Sequence, residues 1–194
     1  EGYYPLDLAT PPDPRDRVMN RDSTFGSWVV SEVQLKQELF DRHLVMAGVE
    51  WQENLRQYQI NYDVQPRTVY VRDDRASRNV GVYVQGEFSL LKNLTLSAGL
   101  RYDHYSTFGS TLNPRLGLLY SPWSDTTFKV LYGEAFRSPS AYEMYYAATG
   151  THVSNPDLEP ETIRTYELVW EQALGERYRL SLSGYRYEIS ELIG

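Results

Sequence analysis

No cysteine occurs anywhere in the 194 residues. That excludes a disulfide framework and any metal site built on thiolates. Long apolar runs are missing as well: 41% of the residues are hydrophobic, yet none of the runs approaches the ~20 residues that a membrane-crossing helix needs. A spanning helix is excluded. A membrane β-barrel is not, because its strands alternate and their hydropathy averages out. Excess positive charge is lacking too. With a net charge of −7, the chain does not have the basic surface that phosphate backbones require, so no nucleic-acid partner is expected. Histidine is scarce, at three residues. His43, His104 and His152 fall in a turn, at a strand end and in a loop, without carboxylates at matching spacing, so neither a metal site nor a cofactor is expected. The start, Glu-Gly-Tyr-Tyr, has no basic-then-apolar leader, and the chain is expected to be an internal piece of a longer protein or one whose leader has been removed.

What is present is tyrosine. Seventeen Tyr and four Trp stand against six Phe. Tyr and Trp favour positions with one dry and one wet end, where a soluble interior would use more Phe, Ile and Leu.

Alternation is clearest from Val80 to Leu90. Val80, Val82, Val84, Phe88 and Leu90 share one face, and Tyr83, Gln85, Glu87 and Ser89 share the other, as in a β-strand with one apolar side. After Leu91-Lys92-Asn93 the pattern resumes, with Leu94, Leu96, Ala98 and Leu100 opposing Thr95, Ser97, Arg101 and Asp103. The two runs make a hairpin. Three further hairpins are expected from strands near 24–38 and 43–58, near 114–121 and 125–134, and near 162–173 and 177–189. In the first, Val33, Leu39, Phe40 and Leu44 also fit a helix. Gly184 marks an expected bulge, since the apolar side changes there from Leu180 and Leu182 to Tyr185, Tyr187 and Ile189.

The fold class that follows is all-β, an antiparallel up-and-down meander of about eight strands. Its connections alternate in length. Tight turns lie near 39–42, 91–93, 122–124 and 174–176, and long loops are expected at 1–22, 59–77, 105–113 and 135–161. In a meander, alternate connections fall at opposite ends of the sheet, so one end carries every large loop. Outer-membrane barrels show this asymmetry, with their longer loops outside. The apolar face carries aliphatics in mid-strand and aromatics such as Trp51, Tyr102, Tyr120, Phe128, Tyr132, Tyr166, Trp170 and Tyr178 toward the ends. The other face carries Glu87, Arg101, Asp103, Arg115, Lys129, Glu167, Glu171 and Arg179. A transmembrane barrel with a wet or plugged lumen and a soluble two-sheet module with one polar face both satisfy this pattern.

Short motifs separate the two. "NPRLGLLYSP" at 113–122, "LYGEAFRSPSAYEMYY" at 131–146 and "NPDLEPETIRTYELVWE" at 155–171 together resemble the C-terminal barrel half of TonB-dependent outer-membrane receptors. In that family an aromatic-Gly-x-x-Phe-Arg-x-Pro segment closes one strand and Asn-Pro-x-Leu-x-Pro-Glu, followed by Tyr-Glu-Leu, opens the next. The matching residues here are Tyr132, Gly133, Phe136, Arg137 and Pro139, then Asn155, Pro156, Leu158, Pro160, Glu161, Tyr166, Glu167 and Leu168. The resemblance implies a location in the outer membrane of a Gram-negative bacterium. It also implies energised uptake of a scarce, bulky nutrient: a ferric siderophore or related metal chelate, with haem or a cobalamin-type molecule as relatives. Implied partners are that small molecule, the lipid bilayer, and the TonB complex through an N-terminal region missing from these residues. The family barrel has 22 strands around a folded plug. Here about eight strands and no plug domain are readable, so 1–194 is expected to be part of such a barrel.

Segment 135–161 is then an external loop anchored at both ends by Phe136, Arg137, Pro139, Asn155, Pro156, Leu158, Pro160 and Glu161. Ser140 and Glu143 have capping-box spacing, which predicts a helical turn over Ala141–Ala147. Asn155-Pro156-Asp157 is turn chemistry, and Pro156 and Pro160 prevent central-strand pairing before Thr162. Arg137 and Glu161 are expected to form an ion pair on the lumen side. Tyr145, Tyr146 and His152 are the candidate ligand contacts of this loop. The run "DDRASR" at 73–78 is expected to be solvated loop. An outer-membrane barrel hydrolase is a poorer alternative: Asp103, His104 and Ser106 are the only local acid, base and nucleophile, Asp103 points away from the other two, and nothing supplies an oxyanion hole. No catalytic residue is therefore assigned.

Overall fold

The computed structural model describes residues 2–5, 17–147 and 153–193. Among the described residues, nine antiparallel strands form one sheet in which each neighbours the next in sequence. They are β1 (Gly2–Pro5), β2 (Arg17–Leu39), β3 (His43–Asp63), β4 (Thr68–Leu91), β5 (Leu94–Tyr105), β6 (Gly109–Trp123), β7 (Thr126–Arg137), β8 (Glu161–Leu174) and β9 (Tyr178–Ser190). One short helix, α1 (Ala141–Tyr145), lies between β7 and β8. The first hairpin, whose residues also fit a helix, is strand throughout.

No second layer covers the sheet among the described residues. The apolar side chains that a sandwich would enclose are open instead, with Val82 47% and Phe128 38% exposed. Pairing puts them in register. Tyr120 faces Phe128, which faces Trp170; the next row joins Leu118, Val130 and Leu168; the row after that joins Leu116, Tyr132 and Tyr166. An aliphatic row thus lies between two rows containing aromatics, which is the order a bilayer selects on a barrel exterior. Beyond Tyr132 the same face turns polar. The Tyr132 hydroxyl bonds the Glu134 carboxylate, and Arg164 approaches Glu134 at 3.1 Å.

Three expectations about the connections change. Most of 59–77 is strand, because β3 runs to Asp63 and β4 starts at Thr68, leaving 64–67 as the turn. Expected loop 105–113 contracts to 106–108, with Gly109 at φ +102° opening β6. In 1–22, β1 pairs with the start of β2, and residues 6–16 fall outside the described ones. The fourth, 135–161, stays a long connection as 138–160, of which 138–147 and 153–160 are described. The asymmetry between the two ends now resides in strand length. β2, β3 and β4 have 23, 21 and 24 residues, where crossing a bilayer takes about 9–11. The β4–β5 ladder ends at Asn79↔Tyr105, so the excess of β4 lies away from its tight turn with β5.

Polar pairs, which hydrophobic periodicity does not register, hold that excess together. Arg56 donates to Asp74 at 3.0 and 2.7 Å, Arg78 to Glu53 at 2.8 Å, and Asn54 to the Ser77 hydroxyl at 2.8 Å. The run 73–78 is therefore strand and not solvated loop. Gly184 marks no bulge either: the β8–β9 register passes Trp170↔Leu182, Leu168↔Gly184 and Glu167↔Tyr185 without a shift. The apolar character itself changes faces there.

The chain forms two compact units. One comprises Glu1–Val29, Glu53–Arg78 and Pro139–Leu158; the other comprises Val30–Gln52, Asn79–Ser138 and Glu159–Gly194.

Candidate functional site

Where β7 ends and β8 begins, Arg137 and Glu161 are direct partners in the ladder. Their side chains form the expected ion pair, Nε to Oε2 at 2.7 Å and a second guanidinium nitrogen to Oε1 at 2.8 Å. Such a fork fixes both distance and orientation. Oε1 also accepts the Ile193 backbone N–H at 2.9 Å. The Arg137 hydrogen bonds, and after them the Ile193 amide, lower the Glu161 carboxyl from 4.5 to about 2.

Phe136, next to the clamp, turns its ring into an aromatic group. It meets Tyr105 edge-on at 5.7 Å and Phe108 at 6.5 Å, while Tyr105 and Phe108 stack at 4.5 Å. At the far end, the Asn155 side chain accepts the Asp157 N–H at 3.2 Å, closing the turn its sequence predicts. Pro139 is buried, Leu158 and Pro160 are half-buried, and Pro156 is exposed.

The loop helix starts at the expected residue. Ser140 Oγ accepts the Glu143 N–H at 3.2 Å, and the Glu143 carboxylate accepts the Ser140 N–H at 2.8 Å. This reciprocal box satisfies two donors that the first turn would otherwise leave open. The candidate ligand tyrosines are occupied in packing. Tyr146 is buried and stacked on Tyr142 at 4.4 Å, and burial pushes its phenol pKa up. Tyr145 lies beneath the Arg75 guanidinium, 3.6 Å from its ring centre. His152 falls outside the described residues. Sequence reasoning missed Arg75 and also Gln59, whose amide donates to the Ala141 carbonyl at 3.3 Å; no local motif signals either.

The polar face of the second unit is laced by charge. Arg101 holds Asp103 at 2.7 Å and Glu50 at 3.2 Å, Tyr83 donates to Glu32 at 2.6 Å, and Lys129 meets Glu171 at 2.7 Å. Gly81 makes room for the first group: a Cβ there would lie 2.4 Å from an Arg101 nitrogen and 2.7 Å from Asp103 Oδ1. Open cavities of about 470 and 450 Å³ lie along this unit, and Arg115 borders both.

His104 Nδ1 bonds Ser110 Oγ at 2.9 Å, the same hydroxyl that Tyr102 reaches at 2.8 Å, while Arg101 holds Asp103 on the opposite face.

The family model for the TonB dependent receptor-like β-barrel matches residues 2–194. The vitamin B12 transporter BtuB of Vibrio vulnificus (strain YJ016) is 33% identical over 149 residues, covering 76% of this chain and 22% of that protein. The heme/hemopexin utilization protein C of Haemophilus influenzae (strain 86-028NP) is 30% identical over 60% of this chain and 20% of its own length. Among solved structures, the siderophore receptor PirA from Pseudomonas aeruginosa superposes with a TM-score of 0.65 at 21% identity, over 89% of this chain and 32% of that one. A ferric enterobactin receptor (PfeA) from the same organism gives 0.68 at 18% identity, over 91% and 28%. The structural likenesses speak for the fold alone. The chain spans about a fifth of the length of the curated relatives it matches. The chain belongs to the TonB-dependent receptor β-barrel family.

Proposed function

We propose that this chain forms part of the barrel wall of a Gram-negative outer-membrane receptor that takes up a bulky metal chelate, a ferric siderophore in the first instance, with energy supplied through TonB. The observation that carries the reading is the division of one single-layer sheet into a lipid-type face and a charged face. Aliphatic Leu118, Val130 and Leu168 lie between aromatic rows on one side, and Lys129–Glu171 and Arg101–Asp103–Glu50 occupy the other. A wall with lipid outside and an enclosed aqueous interior favours both faces at once. The named cargoes of its relatives, vitamin B12, heme and ferric enterobactin, are all metal chelates, and that shared chemistry supports the cargo class.

In this reading the clamp Arg137–Glu161 and the Phe136 aromatic group anchor the external connection 138–160 where it leaves and re-enters the wall. The TonB contact belongs to a region of the parent protein N-terminal to this chain. Growth tests the proposal. A strain lacking the parent gene is expected to lose growth on one ferric chelate as sole iron source and regain it from the intact gene. Unchanged growth and unchanged radiolabelled uptake across ferric siderophores, haem and cobalamin would sink it.

A further inference from the structure

We propose that α1 is a two-state clasp. Helix and docking form together, and the docked state packs α1 within the unit it shares with the first part of β2, the last part of β3 and the first part of β4. Five residues make a helix far shorter than the ~12–15 that hold helical structure alone in water. The capping box settles its start, but the helix needs a surface to lie on. That surface belongs to its own unit. Met144 is 1% exposed, the largest fully buried side chain described. The Gln59 amide donates to the Ala141 carbonyl across 82 residues of sequence. The Arg75 guanidinium covers the Tyr145 ring and is held by both Asp73 carboxylate oxygens at 2.8 and 2.7 Å.

These contacts differ in kind from the rest of the sheet, whose ladders join only consecutive strands. They are also mutually dependent. If Met144 leaves its site, the helix loses its support, the Ala141 carbonyl moves from Gln59, and Tyr145 moves from Arg75. A five-residue helix with no stability apart from its docking has two discrete arrangements and not a graded set. Undocking of α1 as a unit is therefore the conformational step available to this connection. The clamp at Arg137 and Glu161 lies outside that step, because its bonds are made within the other unit.

Limited chymotrypsin digestion of the full-length protein folded in detergent tests this, since cleavage follows the population of the open form when reclosing is fast. Tyr142, Tyr145 and Tyr146 are built-in cleavage sites. Met144→Ala is expected to raise cleavage at all three in parallel by about tenfold, and Ser140→Ala or Arg75→Gln by a few-fold, with amide exchange in β7 and β8 unchanged. Should Met144→Ala fail to fold, the two surface variants carry the test alone. Cleavage within about twofold of wild type in every folded variant, the three tyrosines responding separately, or simultaneous opening of the β7–β8 ladder would each overturn the clasp.

Discussion

Arg137 and Glu161 face each other across the last rung of the β7–β8 ladder, joined by hydrogen bonds of 2.7 and 2.8 Å. The pair closes the sheet at the point where the chain departs for 138–160. Because the Glu161 carboxyl is lowered from 4.5 to about 2, the folded form holds the carboxylate more tightly than the unfolded chain does. The stabilising contribution is therefore fully present above the ordinary 4.5 and is lost as pH falls through about 2. A carbon-13 titration of the Glu161 carboxyl is expected to show its midpoint near the lower value, returning toward the ordinary one in Arg137→Met. A wild-type midpoint near 4.5 would mean that the fork does not form in solution.

Gly81 supports a different prediction. A side chain there collides with the Arg101–Asp103 pair, and Asp103 is buried. Gly81→Val is expected to cost about 1–3 kcal/mol through overpacking and displacement of the guanidinium. Gly109→Ala meets no neighbouring atom and strains only its φ of +102°. Unfolding midpoints of the two variants in denaturant check the contrast, and equal losses would show that crowding at Gly81 is unimportant.

The sequence made the hairpin β4–β5 plain because one face from Val80 to Leu100 is apolar, and the same is true wherever an aliphatic row runs across the sheet. It hid 68–77 because that part of β4 lies beyond the apolar band, where Arg56–Asp74 and Glu53–Arg78 support the ladder. Strand there is a pairing property, and period-two hydrophobicity has nothing to report. The clamp was legible since both halves sit in short motifs at strand ends. The docking of α1 was not, because Gln59 and Arg75 are remote in sequence and carry no pattern that points to a helix so far along the chain. Tyr145 and Tyr146 looked like ligand contacts for the same reason: a tyrosine in a loop gives no sign of whether it faces a cargo or a neighbouring strand.

Phe136 is the aromatic member of the proposed anchoring motif, and its ring joins those of Tyr105 and Phe108. Phe136→Ala is expected to lose roughly 1–3 kcal/mol, less than a full core truncation because the ring is half-buried. Phe136→Leu retains most of the volume and should lose less. Faster amide exchange confined to the ends of β5, β6 and β7 is the signature to look for. Exchange unchanged in Phe136→Ala would remove the ring from the anchoring role.

The two faces of the wall make opposite predictions for adjacent residues. Val130 lies in the aliphatic row opposite Leu168, and Leu131, the next residue, lies opposite Glu167. On the proposed reading, an arginine at Val130 enters the hydrocarbon region of the bilayer, where such a charge costs about 2–4 kcal/mol at the midplane. An arginine at Leu131 enters the aqueous interior beside a carboxylate and should cost well under half as much. Guanidinium unfolding of the full-length receptor in phospholipid vesicles measures both. Transfer to detergent micelles, which adapt to a charge by local wetting, is expected to shrink the Val130→Arg penalty and leave Leu131→Arg unchanged. If Leu131→Arg proved the more damaging in vesicles, the assignment of lipid and lumen to the two faces would have to be exchanged.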